Sequence, residues 1–258
     1  MRNILATLTA EHNQLRELFA QVKRGEFIAP LAHVALTLFA LNFRIAHFYQ
    51  SKYTVVMLAG QLPAVLSALP GPLRRVLHYY LGRLSLMDNA LRDAEQHFGA
   101  ALGLRPTRRQ REKLLHLLLP LKAVLGQLPP AALLARPQFS VFAAVVRAMR
   151  EGRTAEIEAQ LNRNVAVLIA QGTYFLVAEC KLIALRNFLF KAHLLLGKPS
   201  QLSFVLLKTL FSFQYGKKVE TEEVLGVVSS LIYKEFVKAT IDLDAQAVIL
   251  RSRPFPRL

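Results

Sequence analysis

The chain of 258 residues is apolar and strongly basic: 53% of its residues are hydrophobic, and 33 Lys and Arg against 17 Asp and Glu give a net charge of +16. This composition excludes a disordered polypeptide, and the charge favours partners that carry phosphate or carboxylate groups. A single cysteine, Cys180, excludes an internal disulfide and a cysteine-based zinc site, and it favours a reducing compartment.

Two stretches without any charge, residues 27–43 and 53–73, raise the question of membrane spans. The first stretch contains Pro30, and the second is interrupted by Gly60 and Pro63 as well as by later prolines. Such residues end helices in turns. Both stretches are therefore interpreted as buried helices of an α-domain, and contact with a membrane is not expected.

Helical periodicity dominates residues 5–196. Within residues 80–102, apolar side chains recur at steps of three and four, and the offsets of Gly82, Ala94 and Phe98 match the tetratricopeptide pattern. The two small residues let paired helices approach closely, and Phe98 fills the gap towards the next pair. Because no second copy is as clear, the sequence predicts a right-handed solenoid of degenerate helix pairs, with an irregular α-bundle as the alternative.

The pattern changes in the last 60 residues. A helix is predicted near 202–213, and Thr221 is the predicted N-cap of a second helix that Lys234 and Lys238 close. Polar and apolar residues then alternate at 240–243, and an apolar run returns at 248–250, which predicts a β-hairpin. Two helices followed by a hairpin indicate a winged helix.

The predicted fold class is therefore mainly α, with a helical-repeat solenoid at residues 1–198. A winged-helix subdomain with an extended C-terminal tail is predicted at residues 199–258. The hairpin is expected to be the only β-structure of the chain.

Helical repeats that lead into a terminal winged helix resemble the plan of the PCI-domain family. Local strings support the resemblance by their order and spacing: HYYLGR at 78–83, LPLK at 119–122, RA at 147–148 before EG at 151–152, LRN at 185–187 and PFP at 254–256. They are similar to the PCI-domain subunits of a nuclear mRNA-export complex, transcription and export complex 2. A signalosome-associated PCI relative shares the same strings.

The resemblance implies a non-enzymatic scaffold that binds a larger helical export scaffold protein, a small acidic subunit of the proteasome-lid type, and RNA. It also implies a nuclear location at the nuclear pores. The alternative is a PCI subunit of a signalosome-like or proteasome-lid-like assembly that makes no contact with RNA. Structural roles are expected for Gly82, Arg83, Ala94, Phe98, Pro120, Arg186 and Asn187.

One departure from the family pattern concerns the long helix before Arg186 and Asn187. This sequence has Ala178 where the pattern has a glutamate, and Glu179 follows one place later, about 100° further round the helix. The shift implies that an ion pair of the family is lost or rewired in this chain.

Motifs that carry chemistry are absent from the sequence. No pair among the seven histidines has the His-x-x-x-His spacing of a helical metal site, and neither a P-loop nor a G-x-G-x-x-G string occurs. Cys180 is expected to be a small packing residue. The sequence predicts neither an enzyme nor a metal, a cofactor or a small-molecule substrate.

Half of the net charge falls in residues 105–153, where ten Lys and Arg face two Glu. This basic patch is predicted to meet a partner through Arg105, Arg108, Arg109, Arg111, Lys113, Arg147 and Arg150. The alternative is a solvated face whose arginine stems cover apolar surface.

A second basic set lies in the predicted winged helix. Its members are predicted to contact RNA or single-stranded nucleic acid: Lys208, Lys217, Lys218, Lys234, Lys238, Arg251, Arg253 and Arg257. Because Glu222 and Glu223 open the second helix, reading of a DNA groove is disfavoured, and contact is expected to be sequence-tolerant and salt-dependent. The aromatic residues of the first helix are predicted to be core rather than stacking platforms: Phe204, Phe211, Phe213 and Tyr215.

Overall fold

The computed structural model describes residues 2–24 and 28–256. Two compact units divide the chain: an N-terminal unit, Met1–Leu118, and a C-terminal unit, Leu119–Leu258. This division by compactness falls inside a helix, Arg108–Val124. The division at residue 198, which separates repeats from winged helix by type of structure, stays a prediction.

The N-terminal unit consists of helices in its described residues. In chain order they are α1 (Arg2–Arg24), α2 (Ile28–Arg44), α3 (Phe48–Leu58), α4 (Leu62–Ala68), α5 (Gly71–Met87), α6 (Leu91–Gly103) and the beginning of α7 (Arg108–Val124). The uncharged stretches supply the core, because Leu31, Phe39, Leu58 and Val65 are fully buried. Among the described residues, no helix combines the length and the apolar composition that crossing a bilayer requires.

The predicted helix pair at residues 80–102 is present as α5 and α6. Ala94 and Phe98 on α6 are fully buried, and a Cβ atom placed on Gly82 would lie 2.6 Å from the Phe98 ring. The missing side chain of Gly82 therefore creates the space that this ring occupies. Arg83 donates to the Tyr79 hydroxyl at 3.0 Å and lies over the Phe43 ring, so its guanidinium contacts both α5 and α2.

A histidine pair joins α5 to α6. The Nδ1 atoms of His78 and His97 lie 3.1 Å apart, so one ring donates to the other. Burial lowers the pKa of both side chains; the positive charges of His97 and Arg74 lower that of His78 further, whereas Asp93 raises that of His97. The pair therefore favours the neutral state of both rings.

We expect this pair to make folding stability fall as the pH drops. Because the folded pKa values lie below the ordinary histidine value of about 6.5, the unfolded chain binds more protons once the pH falls below that value. The change His97→Gln should reduce the loss of stability between pH 7 and pH 5, as measured by urea unfolding. The exposed His33 is the control position. An unchanged pH dependence in the His97 variant would contradict this reading.

The C-terminal unit contains the remaining helices and all described strands. They are the end of α7, α8 (Ala131–Leu134), a 3-10 turn (Pro137–Phe139), α9 (Ser140–Glu151), α10 (Thr154–Gln171), α11 (Tyr174–Leu195), β1 (Gln201–Ser203), α12 (Phe204–Tyr215), α13 (Thr221–Tyr233), β2 (Ala239–Asp242) and β3 (Ala247–Leu250). Pro120, predicted to be structural, is buried within α7. A mainly α fold that ends in a winged helix is thereby confirmed.

Three strands form an antiparallel sheet in the order β1-β3-β2. The hairpin of β2 and β3 confirms the prediction, but the expectation that it would be the only β-structure is wrong. Leu202 of β1 pairs with Val248 of β3 and is buried. Three residues are too few to show an alternating pattern, so β1 is defined by its partner strand rather than by its own sequence.

Helix ends in the winged helix differ from the sequence-based boundaries by a few residues. Ser203 caps α12 by accepting from the Leu206 backbone N–H at 3.3 Å, so this helix begins at Phe204. Thr221 is the first residue of α13 rather than its cap. This helix ends at Tyr233 and not at Lys238, because Glu235 adopts a positive φ of 58° and turns the chain.

The C-terminal tail packs against α11 through Arg186. The guanidinium of Arg186 donates to the Pro256 carbonyl and, at 2.8 Å, to the Asn187 side chain, and it lies over the Phe255 ring. Asn187 in turn donates to the Met149 carbonyl at 2.9 Å. These contacts join α11 to the C-terminal tail and to the end of α9, and the structural role of Arg186 and Asn187 stays a prediction.

Candidate nucleic-acid interface

The structure separates the eight cations predicted to bind nucleic acid. Lys208, Lys217 and Lys218, here called the helix-turn cluster, lie on α12 and in the turn before α13. Lys238, Arg251 and Arg253, here called the hairpin-base cluster, lie where β2 begins and after β3 ends. Lys234 stands apart from both clusters, and Arg257 lies outside the described residues.

Carboxylates offset part of the positive charge of the helix-turn cluster. Glu220 pairs with Lys208 at 3.2 Å and with Lys218 at 3.3 Å, and Glu223 lies 3.9 Å from Lys217. Hydrogen bonds from Lys208 and Lys218 hold the pKa of Glu220 below its usual value. These lysines therefore offer less positive charge to a polyanion than their number suggests.

Lys234 makes an ion pair within the C-terminal unit. Its ammonium lies 2.6 Å from both carboxylate oxygens of Glu179 on α11. Glu179 is the residue displaced by one place from the family pattern, so the shifted glutamate has a lysine partner at the beginning of the turn after α13. Contact of Lys234 with nucleic acid would have to compete with this bond.

The hairpin-base cluster is exposed, and no ion pair involves its members among residues 2–24 and 28–256. The Arg251 backbone N–H donates to the Lys238 carbonyl at 2.9 Å, and the Arg251 guanidinium donates to the Thr240 hydroxyl at 3.2 Å. These bonds hold two cations side by side. Lys238 and Arg251 line a shallow cavity of about 410 Å³, and Glu235 is the acidic residue of its lining.

Aromatic exposure in the winged helix differs from the prediction. Phe204 and Phe211 are buried and Tyr215 is half-buried, but Phe213 is 81% exposed, so its assignment to the core is wrong. Phe213 lies two positions after Phe211, which places the two side chains about 200° apart on the helix and explains the difference. Tyr233, at the end of α13, is 88% exposed and was missed by the sequence analysis.

The basic patch at residues 105–153 extends over both units. Its first part, Arg105, Arg108, Arg109, Arg111 and Lys113, is exposed in the N-terminal unit. Its second part lies on α9 of the C-terminal unit, where Arg147 and Arg150 border a cavity of about 480 Å³ together with Lys191 of α11. Arg147 and Arg150 are both exposed, and Arg147 lies 3.8 Å from Glu156.

Nucleophilic and metal-binding chemistry finds little support in the described part of the chain. Burial, and after it the negative charge of Glu179, raise the pKa of Cys180 to about 12, so its thiol stays protonated at neutral pH. Within residues 2–24 and 28–256, no cluster of three His, Cys, Asp or Glu side chains could hold a metal ion.

Comparison with known proteins gives consistent relatives, although no family model matches the chain. The chain is 30% identical over 188 residues to PCI domain-containing protein 2 of Xenopus laevis. The match covers 72% of this chain and 47% of the relative. It is 29% identical over 183 residues to the Danio rerio protein of that name, covering 70% of this chain and 46% of the relative. The chain is 28% identical over 222 residues to the Drosophila melanogaster homolog, and the match covers 85% of this chain and 55% of the relative. The chain thus spans about half the length of the curated relatives that it matches.

Proposed function

The chain belongs to the PCI-domain family, and on this premise we propose that it is a non-enzymatic scaffold and RNA-binding subunit of the transcription-coupled nuclear mRNA-export complex. Its partners would be a larger helical export scaffold protein and a small acidic subunit, and its location the nucleus, at nuclear pores. Support comes from the ordered strings between residues 78 and 256 and from the net charge of +16.

The observation that carries RNA binding is the hairpin-base cluster. Three exposed cations lie at the start of β2 and after the end of β3, where a single strand could contact them through its phosphates. Glu222 and Glu223 stand exposed at the start of α13, where their carboxylates would repel the phosphates of a DNA groove. Binding should therefore be tolerant of sequence and sensitive to salt.

Charge reversal should separate the two clusters. We expect Arg251→Glu with Arg253→Glu to weaken binding of a labelled oligouridine by about tenfold or more, because each lost phosphate contact costs affinity and reduces the salt slope by about 1. The matched double change Lys217→Glu with Lys218→Glu should weaken it by only about threefold, since Glu220 and Glu223 already pair with those lysines. Fluorescence anisotropy at two salt concentrations measures both effects.

Thermal melting of each variant controls for loss of folding. Equal losses of affinity for the two double variants would remove the special role of the hairpin-base cluster. Binding of the wild-type protein that did not respond to salt would argue against phosphate contact altogether.

A second candidate function is a PCI subunit of a signalosome-like or proteasome-lid-like assembly without RNA contact. The observation that favours it is that Lys208, Lys217, Lys218 and Lys234 all pair with carboxylates of this chain. Affinity purification from the source cell, followed by mass spectrometry, distinguishes the two. Recovery of export scaffold with RNA supports the first function, and recovery of signalosome or lid subunits supports the second.

A further inference from the structure

The chain leaves the sheet at the base of the hairpin through a bulge. The Arg251 backbone N–H donates to the Lys238 carbonyl at 2.9 Å, and the Lys238 backbone N–H donates to the Pro254 carbonyl at 2.7 Å. Both bonds involve the backbone of Lys238, although Arg251 and Pro254 are three positions apart. The two residues between them, Ser252 and Arg253, therefore protrude from the ladder, as the extra residues of a β-bulge do.

The hydroxyl of Ser252 is accessible to an enzyme. Ser252 is exposed, and residues 251–256 form neither helix nor strand. Arg253 has a φ of +52°, in the left-handed region, so the chain turns directly after the serine. The nearby Thr240 hydroxyl accepts from the Arg251 guanidinium at 3.2 Å, whereas that of Ser252 has no bonding partner among the residues that the structure describes. An exposed hydroxyl on an irregular segment is open to covalent modification.

The three cations of the hairpin-base cluster surround this hydroxyl. Arg251 and Arg253 are its neighbours in the chain, and Lys238 is bonded to both ends of the bulge. Glu235 is the carboxylate that shares a cavity lining with Lys238 and Arg251. A phosphate group on Ser252 would bring three strong acceptor oxygens and a charge of about −1.5 to −2. It would thus offset about half or more of the charge of the three cations.

We propose that Ser252 is a phosphorylation site, and that its phosphate withdraws the hairpin-base cluster from RNA. The enzyme is a protein kinase whose acidic residues recognise arginine on both sides of a serine. The bond between Ser252 Oγ and the γ-phosphorus of ATP forms as the bond from that phosphorus to the β–γ bridging oxygen breaks. ADP leaves, and the hydroxyl proton passes to a base of the kinase. The site stands on the geometry of the bulge, whereas its effect rests on the RNA-binding function proposed above.

The phosphate of Ser252 competes with RNA for the same donors. Charge-assisted hydrogen bonds between phosphate and guanidinium are about twice as strong as neutral ones. The phosphate on Ser252 is part of the chain, so it meets Arg251 and Arg253 at a high effective concentration, whereas RNA has to bind from solution. The modification therefore acts as a local switch of the cluster and requires no change of fold.

A protein that carries phosphoserine at position 252, made by site-specific incorporation during translation, tests the effect on RNA. It should bind labelled oligouridine about tenfold or more weakly than the unmodified chain, and the salt slope should fall by about 2, because the contacts of two cations are lost. The matched control carries phosphoserine at Ser67, which is exposed on α4 of the N-terminal unit. The control adds the same charge outside the cluster and should stay within about threefold of the unmodified chain.

Phosphorus NMR tests the contact between the phosphate and the cations without RNA. Cations near a phosphate favour its doubly charged form, so the second pKa of phosphoserine at position 252 should lie below its ordinary value of about 6. The changes Arg251→Gln and Arg253→Gln in the same phosphoprotein should return the pKa towards that value. A pKa that these changes do not move would overturn the proposal, because the phosphate would then not contact the cluster.

Mass spectrometry of the protein from the source cell tests whether the site is used. A protease that does not cut at arginine keeps residues 251–253 in one peptide, and this peptide should be recovered with a phosphate on the serine. An extract of the same cell, supplied with ATP, should phosphorylate the purified wild-type protein at this position, and Ser252→Ala should remove that phosphate. Absence of phosphate at Ser252 in both experiments would contradict the proposal.

Oligouridine separates failure of this proposal from failure of the RNA function. If the unmodified chain binds oligouridine and phosphoserine at position 252 leaves the affinity unchanged, the RNA function stands and the proposed regulation is wrong. If the unmodified chain does not bind oligouridine, the RNA function and its regulation both fail. A phosphate found at Ser252 and a lowered phosphate pKa would in that case still establish the modification site.

Discussion

Replacing Gly82 by alanine is expected to destabilise the N-terminal unit by about 3 kcal/mol or more. A Cβ atom at this position would lie 2.6 Å from Cε1 and 2.8 Å from Cδ1 of Phe98, closer than carbon atoms can approach. The Phe98 ring is fully buried, so it cannot swing away without disturbing α6. The clash should outweigh the gain of about 1 kcal/mol that alanine brings to a helix interior.

The control for this prediction is Gly99→Ala, one residue beyond Phe98. Gly99 is also helical and exposed, and a Cβ atom there would meet nothing within 4 Å. This change should leave the unfolding free energy the same or raise it slightly. Urea unfolding measures both variants.

A double mutant identifies Phe98 as the cause. Phe98→Leu shortens the side chain facing Gly82, so the variant with both changes should lose less stability than the sum of the single losses. If the two losses simply add, the clash is relieved elsewhere and the packing of α5 on α6 does not depend on this contact.

Replacing Gly152 by alanine is the second change with a large expected effect, and it acts on the C-terminal unit. Gly152 ends α9 with a φ of +80°, where an added Cβ costs about 1–2 kcal/mol. That Cβ would also lie 3.0 Å from the backbone N and Cα of Phe188 on α11, and backbone atoms cannot move aside cheaply. We expect a total loss of about 2–4 kcal/mol in unfolding free energy.

The turn at Gly152 is where several helices join, which makes this loss consequential. Lys191 donates to the Glu151 carbonyl at 3.0 Å, and Gln214 donates to the Gly152 carbonyl at 2.6 Å and to the Thr154 hydroxyl at 2.9 Å. Side chains from α11 and α12 thus bind the α9–α10 turn directly. Displacement of Phe188 would therefore strain the bonds by which α11 and α12 hold this turn.

Gly216 is the matched control, because it too ends a helix with a positive φ, of +65°, yet an added Cβ would meet nothing within 4 Å. Gly216→Ala should show the conformational cost alone, about 1–2 kcal/mol. The two variants, measured by thermal and urea unfolding, should differ in their loss of unfolding free energy by the cost of the steric contact with Phe188. Equal losses at the two positions would contradict the role assigned to Phe188.

Because of the ion pairs in the winged helix, the net charge of the chain overstates the positive charge that its lysines offer to a polyanion. A net charge of +16 describes the whole chain, whereas the potential near a binding surface depends on which cations have carboxylate neighbours. Glu220 alone contacts two lysines of the helix-turn cluster. The hairpin-base cluster therefore stands out as the exposed positive charge to examine for RNA binding.

Much of the fold could be determined from the sequence because its signals are local. Prolines and glycines mark where α4, α5 and α9 begin or end, and helical periodicity identifies the apolar faces. The small Gly82 beside the large Phe98 predicts a close helix pair, since both residues lie in one continuous pattern. The order of short strings identifies the PCI-domain family for the same reason: each string is contiguous in the chain.

Only the tertiary structure decided the features that join distant parts of the chain. Strand β1 has only three residues, and it forms because β3 offers a partner strand. The His78–His97 contact joins two different helices, so the spacing rules that apply within one helix do not predict it. Likewise, Lys234 meets Glu179 across 55 residues of sequence. Charge, exposure and pairing are properties of neighbours in space, so the usable cations of this protein could be identified only once the helices were packed.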